Sequence, residues 1–128
     1  MRLILVSILA LAACVPQEKT PPSADFADYC AGCHGAQGMG DGAAVAGLAK
    51  KPADLTRLSS RNGGVFPTTR VMSQIWGYAG GKGRGVMPEF APLMEGALIP
   101  YDGGDGIATP TPERLVALAE YLKTLQRP

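Results

Sequence analysis

One histidine, His34, is all that this chain of 128 residues contains, and only three cysteines accompany it. A structural zinc site takes about four Cys, His or carboxylate ligands, usually from two knuckles. A second knuckle is missing here, so zinc is excluded. Charge of one sign is also lacking: the formal net charge is +1, which gives no support to nucleic-acid binding. The longest apolar run, residues 3–13, has 11 positions, short of the about 20 that a membrane-crossing helix needs. No segment alternates convincingly with period two and none repeats at a fixed spacing, so the predicted fold class is all-α. Breakers are plentiful instead, with 17 glycines and 11 prolines. They leave room for a few helices and long connections, and such connections need something to wrap around. A small, loop-rich domain also needs a staple, whether a disulfide, a metal or a cofactor.

The start, "MRLILVSILALAAC", reads as an export signal over residues 1–13: Arg2 supplies the positive charge and the apolar run follows. "LAAC" resembles the lipobox of bacterial lipoproteins, in which the signal is cut before the cysteine and Cys14 carries the lipids. The alternative is ordinary cleavage after Ala12, which leaves Cys14 a spare thiol in an oxidising compartment. Lipidation predicts a periplasmic protein anchored to a membrane without crossing it, since two acyl chains hold stably; ordinary cleavage predicts a soluble periplasmic one. Residues 14–22 are polar and proline-rich, a flexible linker, and the folded domain is expected over residues 23–128. Within it charge is uneven. Residues 50–84 hold seven basic side chains against the single acid Asp54, while residues 89–120 hold six acids, so the domain is dipolar if these segments occupy different faces.

Three helices are predicted. Ser23 caps the first, whose Phe26, Tyr29, Cys30 and Cys33 fall on one face. "TTRVMSQIWGYAGG" gives a central helix ended by glycine. "TPTPERLVALAEYLKTLQRP" gives the last, with Thr111 as N-cap, Pro112 at the first helical position and a stripe of Leu115, Leu118, Leu122 and Leu125.

Cys30-Ala31-Gly32-Cys33-His34 has the spacing of a covalent c-type haem attachment site. On a helical turn two cysteines three positions apart point the same way, so both can form thioethers to one porphyrin edge, and the next residue can bring its imidazole to the iron. A thioredoxin-like dithiol needs a βαβ setting that is missing, and a Cys30–Cys33 disulfide closes too small a loop to stabilise much. With no second histidine, the other axial ligand is sought among the methionines. Met87, in "GKGRGVMPEF", comes first, because glycines permit close approach and Pro88 stiffens the backbone. Met94 is the reserve. Met39 lies too near His34 in sequence, and Met72 fits core packing better.

Together "CAGCH", "KKPADLT", "GVMPEF" and "LAEYLKTL" resemble a class I cytochrome c of the small bacterial, monohaem kind, over about residues 23–127. The resemblance implies three or more helices wrapped around one covalently bound haem c, with the first and last crossing at Phe26 and Tyr121. It implies that the carbonyl of Pro52 accepts a hydrogen bond from the far nitrogen of His34. It also implies a one-electron carrier between redox proteins rather than an enzyme; a haem subunit of a larger redox enzyme complex, or a haem sensor or enzyme with an open iron position, are the alternatives. Trp76, Tyr78 and Arg70 are candidates to meet the propionates. Lys82 and Arg84 are candidates to steer an acidic partner onto a basic face. "EGALIPYDGGDGIATPT" is longer than in the smallest members and reads as a surface loop, either tolerated or partner-binding. Its "GDG" lacks the spaced acids of a calcium loop.

Overall fold

The computed structural model describes residues 19–77 and 87–128. Helix α1 (Pro22–Tyr29) starts on proline: Pro21 is the N-cap, extended at ψ 144°, and Pro22 supplies a preset φ at the first turn. Ser23 therefore lies inside the helix and caps nothing. Cys30 ends α1, but its carbonyl still accepts from His34 N at 2.8 Å, which carries the chain into the single turn α2 (Ala31–His34). Helix α3 (Thr68–Trp76) runs where predicted and stops because Gly77 takes a left-handed φ of 87°.

Helix α4 (Glu113–Thr124) begins later than the predicted cap. Pro112 occupies the N-cap position, and Thr111 turns its hydroxyl onto the carbonyl of Thr109 at 2.8 Å. Its buried stripe is Leu115, Val116, Leu118, Ala119 and Leu122, with Leu125 only partly covered. The stripe packs with Phe26, Cys30, Met72, Ile75 and Leu93 into one core. The expected crossing of α1 and α4 is present: the rings of Phe26 and Tyr121 stand 5.6 Å apart, tilted by 55°. Below it, Asp25, 1% exposed, takes the Nε and Nη2 of Arg114, while Nη1 of the same side chain donates to the carbonyl of Pro92 at 2.9 Å. One guanidinium thus ties the first helix, the last helix and the turn that comes after Met87.

The all-α expectation is corrected by a hairpin. Strands β1 (Leu98–Asp102) and β2 (Ala108–Pro112) pair antiparallel in register Leu98 to Pro112 through Asp102 to Ala108. Prolines are tolerated because each strand of a two-stranded ribbon has a free edge, and Pro100 lies opposite Pro110. Ile99 and Tyr101 turn inward onto the core. Tyr101 donates its hydroxyl to Glu120, and Lys123 donates to both, locking the hairpin to α4. At the tip one carboxylate oxygen of Asp102 accepts from the amides of Gly104, Asp105 and Gly106. Those amides hold its carboxyl below the ordinary value. The "GDG" segment is therefore a turn organised by its own acid, and the predicted surface loop is a braced ribbon.

Candidate cofactor site

The turn that carries Cys30, Cys33 and His34 is built from below by glycine. Gly40 N donates to the carbonyl of His34 at 2.7 Å and Gly42 N to that of Cys33 at 3.1 Å, so residues 35–42 fold back under the motif. A Cβ on Gly42 would stand 2.3 Å from the carbonyl oxygen of Gly32; only glycine passes so close. The two thiols are unbonded, Cys30 buried and Cys33 partly exposed. Burial, with the nearby carboxylate of Asp25 and the second thiol, pushes the Cys30 thiol up to about 11.

His34 Nδ1 lies 2.8 Å from the carbonyl oxygen of Ala53. A carbonyl only accepts, so Nδ1 carries the proton and Nε2 keeps its lone pair for another partner. Here the structure corrects the expectation by one residue: the partner is Ala53. The carbonyl of Pro52 instead faces Gly40, 2.7 Å from where a Cβ there would lie. The segment bearing Ala53 is held in place by the turn next to it. Asp54 caps the short turn Leu55–Arg57 through Thr56, accepting from its N at 2.9 Å and its hydroxyl at 2.7 Å. These hydrogen bonds hold the Asp54 carboxyl below its ordinary value. From the far end of the chain, Gln126 donates to the carbonyl of Leu55 at 2.7 Å and accepts from Ser59 N at 2.9 Å, while Arg127 N donates to the carbonyl of Thr56 at 2.8 Å.

Met87 packs against the same core cluster that contains Cys30, and its sulfur receives the side-chain amide of Gln74 at 3.9 Å. Met94 also leans on the core, Met72 is buried within it, and Met39 lies beside Arg127. Trp76 is 37% exposed, and Arg70 reaches Asn62 at 3.4 Å. Tyr78, Lys82, Arg84 and Cys14 lie outside the described residues. Gln74, Ala53, Gln126 and the Asp25–Arg114 pair were not singled out from sequence: a backbone carbonyl has no residue signature, and polar side chains on helices read as solvated faces.

The residues present fit haem c. Two unbonded thiols share a turn with an imidazole oriented at Nδ1, and a glycine-rich loop braces that turn from beneath. Among the described residues no group of three or more His, Cys, Asp and Glu could hold a metal ion alone, so a lone histidine suits an iron that brings its own macrocycle.

No individual curated protein and no solved structure matches this sequence. The cytochrome c family description matches residues 23–126, most of the chain and all of the site. With that span matched and its motif braced as described, the chain belongs to the cytochrome c family.

Proposed function

We propose that this protein is a class I, His/Met-ligated carrier of single electrons between redox proteins, anchored at the periplasmic side of a membrane through lipidated Cys14. Haem-based electron transfer comes with the family: a cytochrome c domain holds covalently attached haem c, one group for a chain of this size, whose iron passes between ferric and ferrous states. Cys30 and Cys33 would hold the porphyrin through thioethers, and His34 Nε2 and the Met87 sulfur would be the protein's two donors to the iron. With His34 and Met87 both donating, the iron would have no position open to substrate, which favours a carrier over an enzyme.

The observation that carries this reading is His34 Nδ1 held by Ala53 on the same turn as two unbonded thiols. A dithiol oxidoreductase fits less well. Its nucleophile must be a thiolate near neutrality, and Cys30 is pushed the other way. Denaturing the purified holoprotein and extracting it with acidified organic solvent is expected to leave the haem on the polypeptide, with loss to the solvent overturning the covalent assignment.

Partners would dock on a basic face. Lys50, Lys51, Arg57 and Arg61 are exposed around Ala53, on the histidine side of the site, and Lys82 and Arg84 follow α3 in sequence. Charge arranged in this way speeds encounter with an acidic partner and is screened within about 10 Å at 0.1 M salt. The association rate is accordingly expected to fall steeply as ionic strength rises; a rate indifferent to salt would remove the docking face.

A further inference from the structure

The hairpin turns a second face to solvent. Its inward residues, Ile99 and Tyr101, are spoken for by the core. Pleating therefore directs Leu98, Pro100 and Asp102 outward; across from them in the register are Pro112, which is buried, and the exposed Pro110 and Ala108, with Ile107 at the tip. Leu98 is 60% exposed and Ile107 64%. No lysine or arginine occurs between residues 98 and 112. Its two acids sit at the tip end, where Asp102 is occupied by three amides and Asp105 accepts from Ile107 N at 3.0 Å. Exposed apolar side chains gathered on one side of a hairpin, with Asp102 only at the tip end, mark a contact surface.

The route of the arriving chain decides what lies opposite this face. Lys19 Nζ meets Glu113 at 2.6 Å, and Glu113 N donates to the carbonyl of Ala97 at 2.9 Å, next to the pair Leu98 and Pro112. The Asp25–Arg114 pair independently fixes the start of α1 beside the start of α4. The N-terminal segment therefore leaves the domain at the open end of the hairpin. Cys14 stands five positions before Lys19, a reach of at most about 17 Å, and the hairpin itself is about that long. A lipid on Cys14 thus puts the bilayer within reach of the apolar face.

We propose that Leu98, Pro100, Ile107, Ala108 and Pro110 seat the domain on the phospholipid surface in which Cys14 is anchored. The proposal rests on the lipidated reading of Cys14. The acyl chains supply the attachment, and the hairpin supplies the orientation: its apolar residues enter the interface while Asp102 and Asp105 limit the depth.

The test uses full-length holoprotein with either Ile107→Cys or Ser60→Cys, both exposed positions, since Cys14, Cys30 and Cys33 are then all blocked. Each variant is reconstituted in vesicles of phosphatidylethanolamine and phosphatidylglycerol, and its modification by a membrane-impermeant maleimide is timed. The same pair carrying Cys14→Ala, mixed with the same vesicles, gives the unanchored rates. Anchoring is expected to slow labelling at position 107 about tenfold and leave position 60 unchanged. Equal rates at 107 in anchored and unanchored protein overturn the seat. Protection in native membranes but not in pure lipid overturns it in favour of a protein partner. An intact mass without acyl groups on Cys14 overturns the anchor itself, before any rate is read.

Discussion

Met87→Ala is expected to remove the weak far-red band of sulfur-ligated ferric haem and to lower the reduction potential by on the order of 0.2 V, a part of the ~0.8 V range that axial ligands span. The effect is large because a thioether opposite histidine favours the ferrous state, and water or hydroxide entering the vacated position favours the ferric one. A spectrum and a redox titration of the membrane-extracted protein check both. An unchanged band in Met87→Ala, with loss in Met94→Ala, would move the ligand to Met94, which also leans on the core. Gln74 provides an internal scale. Its amide donates weakly to the Met87 sulfur at 3.9 Å and draws electron density from it, so Gln74→Leu is expected to keep the band and lower the potential by much less.

Arg114→Ala is expected to destabilise the protein by about 3 kcal/mol, roughly 12–15 °C in Tm for a domain of this size. The mechanism is the orphaning of Asp25. With its side chain 2% exposed, that carboxylate loses both guanidinium contacts and keeps only such water as the space vacated by Arg114 admits. Breaking a fully buried pair costs about 3–5 kcal/mol; Arg114, whose side chain is 34% exposed, sets the loss at the lower end. Calorimetry of the holoprotein measures it. A second readout separates this pair from ordinary packing. Arg114 also holds the carbonyl of Pro92, five residues beyond Met87, so its removal is expected to speed carbon monoxide binding to the reduced protein. Phe26→Leu, which weakens the same crossing through the ring contact with Tyr121, is expected to lower Tm without that acceleration. If both variants bind carbon monoxide alike, Arg114 has no hold on the methionine side.

Much of the site was legible because its chemistry uses residues that are scarce here. A sole histidine beside two cysteines at fixed spacing admits few readings, and the same scarcity forces the search for a second ligand among methionines. The helices α3 and α4 were legible from apolar spacing, and the stop at Gly77 from glycine. What escaped was carried by backbone. Pro52 and Ala53 differ by one peptide, and the turn at Gly40 decides which carbonyl meets His34. The hairpin escaped because its outward positions are Leu98 and Pro100, where a solvated strand would show polar residues. Its inward Ile99 and Tyr101 then look like part of an apolar, broken loop. Thr111 had the chemistry of a cap, yet β2 claims it through its pairing with Ile99.

Gln126 and Arg127 fasten the segment that positions His34. Gln126 stands 92 positions beyond His34 in sequence, so the orientation of the imidazole depends on a remote stretch of the chain. The residues that follow α4 thereby act as a latch on the histidine: loosening them would free the ring to turn while leaving the cysteine turn itself intact.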